Sequence, residues 1–263
     1  MQVRYHKKYS KHLKRDMEFK VYGKAGKPAL FFPSQNGRFF QCEDFGMIEA
    51  CGPFIEDGCM TAYCVDSVDA ESWSAFHRSP RERIERHEEY TRYIMEELLP
   101  VIRHDSQNQP LLLSGASLGA AHAANFFFRF PPMADSLIAL SGIYCTRQFF
   151  GDYMDSDVYY NSVIDYLGNL EDETILNHLR RSNIVICTGQ GAYEDFMLSE
   201  TWQLKLVLER KNIPACIDVW GRDVNHDWYW WRKQLQYFLG HMFKDNYESL
   251  RAHLRERALP AAE

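Results

Sequence analysis

The stretch Pro110-Leu111-Leu112-Leu113-Ser114-Gly115-Ala116-Ser117-Leu118-Gly119-Ala120-Ala121-His122-Ala123-Ala124-Asn125-Phe126 joins an apolar run to an alanine-rich one through a glycine-flanked turn. The first run reads as a buried strand and residues 118–129 as a helix. A Gly-x-Ser-x-Gly pattern alone arises by chance in roughly one chain in ten of this length. Its setting gives it weight, because a strand-to-helix turn is what the motif needs to project a serine hydroxyl above the sheet edge. Side chains two positions before and after the serine would meet the neighbouring strand and helix, which explains Gly115 and Gly119. The new helix also turns its N-terminal N–H groups toward the site, where they favour developing negative charge. Ser117 is the candidate nucleophile.

Working outward, short apolar runs alternate with helical patterns: 29–32, 61–65, 111–113, 137–140, 184–187 and 216–220 against 80–103, 118–129, 197–211 and 227–243. The later runs are apolar on both faces, as buried parallel strands are. Residues 15–22 alternate at period two and predict an antiparallel edge strand. The expected fold class is α/β, a mostly parallel central sheet flanked by helices on both faces, with little or no cap domain. One domain is expected over 1–263, with its core at 14–243. Residues 143–182 read as loops with one or two short helices, and 244–263 as a solvated helical tail. The basic residues Arg4, Lys7, Lys8, Lys11, Lys14 and Arg15 read as a solvated hairpin.

Bulk properties narrow the classes further. The chain has 263 residues, 46% hydrophobic and 14% aromatic, enough for a sizeable core, which excludes a disordered chain. A net charge of −6 argues against a nucleic-acid partner. The seven cysteines (Cys42, Cys51, Cys59, Cys64, Cys145, Cys187 and Cys216) form no Cys-x-x-Cys pair. Neither a disulfide framework nor a zinc site is expected, so no metal is assigned. Met1 to Lys8 lacks the apolar core of a signal peptide, and no run reaches the roughly 18 apolar residues that span a bilayer. A cytoplasmic protein without a membrane partner is expected; homo-oligomerisation stays open.

A serine is a weak nucleophile until a base takes its proton. With a nucleophile on this kind of turn, the acid and then the histidine follow in the chain. His226 lies just after the last strand, in Gly221-Arg222-Asp223-Val224-Asn225-His226-Asp227-Trp228. His241 and His253 fall too late, and His122 lies one turn into the helix and points away from the hydroxyl. The acid belongs in Thr188-Gly189-Gln190-Gly191-Ala192-Tyr193-Glu194-Asp195. Asp195 is preferred, with Glu194 the alternative and the unused carboxylate capping the next helix. One oxyanion donor is the Leu118 N–H; the other comes from Ser34 or Gln35, since Pro33 has no N–H.

With these residues in place, the chain resembles the esterase D-like branch of the α/β-hydrolases, which includes feruloyl esterases and antigen 85 mycolyltransferases. The resemblance runs from about residue 13 to 243. It rests on Gly115-Ala116-Ser117-Leu118-Gly119, on the loop from Gly189 to Asp195, and on His226-Asp227-Trp228 with Trp231. It implies ester hydrolysis or acyl transfer on a small-molecule ester, with no metal or organic cofactor. It also implies Asp195 as the acid and Gln35 as the second oxyanion donor. Pro33-Ser34 stands where relatives often carry His-Gly or Asp-Gly.

Trp73, Phe39 and Tyr193 are the candidate substrate-lining residues, because their loops leave strands at the carboxyl edge where ligands bind. Phe40 and Trp228 lie close by, Trp228 and Trp231 reading as core. Asp66, Asp69 and Glu71 either order their loop or repel anionic substrates. Three functions stand: a carboxylesterase for small or aromatic esters, an acyltransferase with the same residues, and a non-catalytic binding protein on this fold.

Overall fold

The computed structural model describes residues 1–243. Eight strands form one sheet: β1 (Val3–Ser10), β2 (Arg15–Tyr22), β3 (Lys27–Phe32), β4 (Met60–Val65), β5 (Leu111–Ala116), β6 (Ala134–Leu140), β7 (Asn183–Thr188) and β8 (Cys216–Val219). Their spatial order is β1-β2-β4-β3-β5-β6-β7-β8. β1 and β2 are antiparallel, as are β2 and β4, and all pairings from β4 through to β8 are parallel. The helices are α1 (Gln41–Asp44), α2 (Met47–Glu56), α3 (Pro80–Tyr93), α4 (Leu99–Asp105), α5 (Leu118–Arg129), α6 (Arg147–Phe150), α7 (Ser156–Tyr159), α8 (Val163–Gly168), α9 (Glu173–Arg181), α10 (Asp195–Arg210) and α11 (Trp228–Phe243).

Period-two alternation in the central strands divides the core in two. Leu111 and Leu113 of β5, Leu137 of β6 and Ile184 of β7 pack with side chains of α3, α5, α9 and α10. Leu112, Ile138 and Val185 face the other way, onto α2 and α11. Both faces are therefore apolar and covered, as the sequence leads one to expect for parallel strands.

Three local readings change, and one helix, α2, is not read from the sequence at all. The alternation at 15–22 is real, but β2 is not the edge: the basic N-terminal run forms β1 outside it, turning at Lys14 with φ 54°. The helix α2 carries Gly52 and Pro53 in its interior, residues that mask a helical pattern, and packs under α11. The 80–103 pattern is not one α-helix. Ser79 and Glu82 form a capping box at the start of α3, and the chain widens into a π turn at Ile94–Leu98 before α4. Pro100 lacks the N–H that would bond the carbonyl of Glu96, which is the physical reason for the break. Finally, four short helices, α6–α9, occupy 143–182. The expected tail, 244–263, lies outside the described residues.

Parallel strands bring their carboxyl ends to one edge. That edge gathers the turn after β3, Ser117 after β5, Ser141 after β6, and the loops after β7 and β8. Among the described residues no helix is long and apolar enough to cross a membrane.

Candidate active site

Ser117 sits between β5 and α5 with φ 57° and ψ −126°, a conformation that non-glycine residues rarely adopt. Strain of this kind costs about 1–3 kcal/mol and persists only where the surroundings enforce it. Here the Ser117 N–H donates to Leu140 O at 2.9 Å, while the Ser117 carbonyl accepts from Ala120 and Ala121 at 3.0 and 3.2 Å. A Cβ on Gly115 would lie 2.3 Å from the carbonyl carbon and oxygen of Gly119. One on Gly119 would lie 2.4 Å from Phe32 O and 2.5 Å from Pro33 O. Both glycines are thus required by close backbone approach on the two sides of the turn.

The His226 Nε2 lies 3.0 Å from the Ser117 Oγ. Two hydrogen-bonded loops hold the imidazole there. The Gly191 N–H donates to Val224 O at 2.8 Å, His226 N–H to Ala192 O at 3.0 Å, and Ala192 N–H to Asn225 Oδ1 at 2.8 Å. The Trp231 ring packs edge-on against His226, with centroids 4.8 Å apart at 87°.

The carboxylate behind the imidazole belongs to Glu194. Its Oε1 lies 3.5 Å from His226 Nδ1, an ion-pair separation without hydrogen-bond geometry, so Nδ1 makes no hydrogen bond in this arrangement. Glu194 is fully buried. Its Oε1 accepts from Ser141 Oγ at 2.5 Å and its Oε2 from Thr188 Oγ1 at 2.8 Å. Ser141 Oγ in turn accepts from Trp231 Nε1 at 3.0 Å. The preferred sequence choice, Asp195, is not brought to His226: it is exposed at the first position of α10, where its charge suits the helix N-terminus. Successive residues entering a helix point about 100° apart, so only one of the pair can face inward. Tyr193, held at φ 65°, precedes the turn that sends Glu194 inside.

Ser34 and Gln35 now separate. They belong to a turn closed by Gly37 N–H donating to Ser34 O at 2.7 Å. The Ser34 N–H is taken by Gln41 Oε1 at 2.8 Å, and its hydroxyl donates to Ala116 O at 3.0 Å, beside the nucleophile. The Gln35 N–H has no partner among the described residues. Leu118 is the first residue of α5, and its N–H is one of those a helix leaves unpaired.

The expected substrate-lining residues scatter. Trp73 is 3% exposed, enclosed edge-on by His87, His122, Phe149 and Phe150, and is core rather than an open wall. Phe39 is buried against Tyr5 and Phe40. Tyr193 is 85% exposed. The residues missed by sequence reasoning are Ser141 and Thr188, small hydroxyls at the carboxyl ends of β6 and β7; their strand-end position was the one available signal. Among the described residues no cluster of three or more His, Cys, Asp or Glu side chains could hold a metal ion.

A family model described as "Putative esterase" matches residues 10–242. The chain belongs to this esterase family. Solved structures agree with it in fold. A ferulic acid esterase superposes with a TM-score of 0.73 at 17% identity, over 93% of this chain and 98% of that one. An S-formylglutathione hydrolase from Agrobacterium tumefaciens gives 0.70 at 13% identity, over 92% and 95%. A ferulic acid esterase from the anaerobic fungus Anaeromyces mucronatus gives 0.63 at 12%, over 90% and 88%. No curated protein matches the chain in sequence. The fold is that of the α/β-hydrolases, and the protein is a carboxylic ester hydrolase.

One further buried carboxylate supports the edge of this esterase's site. Glu200 of α10 accepts the backbone N–H groups of Tyr144 and Cys145, just beyond Ser141, the second at 2.9 Å. Burial, only partly offset by those two donors, pushes its pKa up to about 7. A folded-state pKa above the unfolded one favours the protonated folded form. The contribution is therefore full below about pH 4.5 and is lost as pH rises through about 7. Glu200→Gln, which mimics the protonated acid, is expected to flatten that part of the stability profile. Urea midpoints at pH 5 and pH 8 check it: the difference between them should shrink in the variant.

Proposed function

We propose that this esterase hydrolyses small or aromatic carboxylic esters through an acyl-enzyme, with Ser117 as nucleophile, His226 as general base and Glu194 as the orienting acid. The observation that carries the proposal is the 3.0 Å contact between His226 Nε2 and a Ser117 Oγ held on a strained turn. In the first step His226 Nε2 takes the hydroxyl proton as Oγ attacks the ester carbonyl carbon. The carbonyl oxygen gains the negative charge and is met by the N–H groups of Leu118 and Gln35. Collapse of this intermediate breaks the bond to the leaving alcohol, which receives the proton from His226. Water then repeats the sequence on the acyl-Ser117 ester, releasing the acid. Glu194 stabilises the imidazolium present in both transition states and keeps its Nδ1–H pointing inward.

The ferulic acid esterases among the structural neighbours favour small aromatic acyl groups for this chain. No disulfide joins its cysteines among the described residues, which favours a reducing compartment, and we assign the protein to the cytoplasm on that ground. The test is labelling with a fluorophosphonate, followed by a panel of 4-nitrophenyl esters from acetate to octanoate with methyl ferulate. One adduct on Ser117 and turnover concentrated on the short or aromatic members are expected. Absence of the adduct would remove the mechanism, and a preference for octanoate would remove the substrate class.

A further inference from the structure

We propose that Asp69 is a positioning residue, clamping the nucleophile helix to the turn that carries the second oxyanion donor; this rests on the Ser117 reading above. Asp69 lies in the loop after β4 and is 1% exposed. Its two carboxylate oxygens serve two different elements. Oδ1 lies 2.9 Å from Nε2 of His122, five residues beyond Ser117 on α5. Oδ2 accepts the Asn36 N–H at 3.2 Å, next in the chain to Gln35.

The turn Ser34–Gly37 needs such a partner. Its third residue, Asn36, sits at φ 59°, the left-handed conformation that this position takes in a type II turn. The peptide joining Gln35 to Asn36 could turn over if its N–H were free. Gln41 and Ala116 hold Ser34 on one side, and Asp69 holds Asn36 on the other, so the Gln35 amide between them is fixed from both ends. The same loop adds two weaker ties: Ser67 Oγ donates to Gly37 O at 2.8 Å, and Gln35 Nε2 to Ser74 Oγ at 2.8 Å.

The other end of the clamp is rigid. The His122 ring is stacked on His87 at 5.0 Å and packed edge-on by Trp73 at 5.5 Å. His87 adds no competing positive charge, because burial, helped by the neighbouring His122, pushes its pKa well below the usual imidazole range. Trp73 thus encloses the clamp rather than a substrate. A buried carboxylate bridging two polar donors satisfies both, and loss of either donor would leave the other atoms unpaired.

A brace that served stability alone would not discriminate between transition states, which sets the experiment. An ester develops its charge on oxygen, whereas a thionoester develops it on sulfur, which hydrogen-bonds weakly and gains little from the oxyanion donors. The measured quantity is the ratio of kcat/KM for 4-nitrophenyl acetate to that for 4-nitrophenyl thionoacetate. Removing an oxyanion donor outright costs about 10²–10³. Misplacing one by Asp69→Asn, which keeps the volume but loses an acceptor, is expected to lower the ratio about tenfold. His122→Gln, whose amide can still donate to Asp69, is expected to keep the ratio near that of the unmodified protein. Equal losses on both substrates, or no loss in folded Asp69→Asn, would overturn the clamp. If Asp69→Asn does not fold, His122→Leu breaks the same contact from the helix side and is read by the same ratio. Ser117→Ala separates this outcome from failure of the underlying mechanism: full activity there defeats the serine reading whatever the Asp69 variants do.

Discussion

Ser117→Ala is expected to lower kcat for ester hydrolysis by roughly 10⁵–10⁶-fold while leaving the fold intact, because the change removes only the attacking oxygen. Alanine keeps the Cβ that the turn already accommodates at φ 57°, and the backbone bonds to Leu140, Ala120 and Ala121 do not involve the hydroxyl. His226→Ala should cost about as much. The double variant should cost little more than either single one, since nucleophile and base act as a unit. A residual rate above that in water is expected from the N–H groups of Leu118 and Gln35, which survive both changes. Steady-state and burst kinetics on 4-nitrophenyl acetate measure all three variants. Losses that multiply in the double variant would show that His226 and Ser117 act separately, contrary to their 3.0 Å contact.

The second large effect distinguishes two adjacent carboxylates. Glu194→Gln is expected to reduce kcat by roughly 10⁴-fold, the size of loss found when the acid behind a catalytic histidine is neutralised. Glutamine fills the same buried space between Ser141 and Thr188, so the loss reports charge and imidazole orientation rather than a cavity. Asp195→Ala, at an exposed helix start, should leave kcat within about twofold. The pair of rates, with circular dichroism to confirm folding, decides the acid. A large loss at Asp195 with little at Glu194 would reverse the assignment.

The turn at Ser117 is a local object: an apolar run, two glycines with no room for a side chain, and an alanine-rich helix, all within seventeen residues. The central strands declare themselves by runs that are apolar on both faces, and His226 by falling directly after the last of them. Local patterning failed where the chain breaks its own rules. Gly52 and Pro53 conceal α2, whose helical form is sustained by packing under α11.

Trp73 illustrates a different failure. Its loop leaves the correct edge of the sheet, which suggested a substrate wall, but two histidines and two phenylalanines close around it. No spacing along the chain announces that enclosure, because its members come from α3, α5 and α6 as well as the loop itself.

From the residues in order, the α/β class, the strand-to-helix turn at Ser117 and the pairing of Ser117 with His226 could all be read, since each depends on period, sterics or chain order. The placement of Glu194, rather than Asp195, behind the His226 imidazole could not. It turns on the left-handed backbone at Tyr193 and on hydroxyls of Ser141 and Thr188 at the ends of two neighbouring strands. Only the assembled sheet brings those groups to one point, and there a buried carboxylate finds the hydrogen bonds that its burial demands.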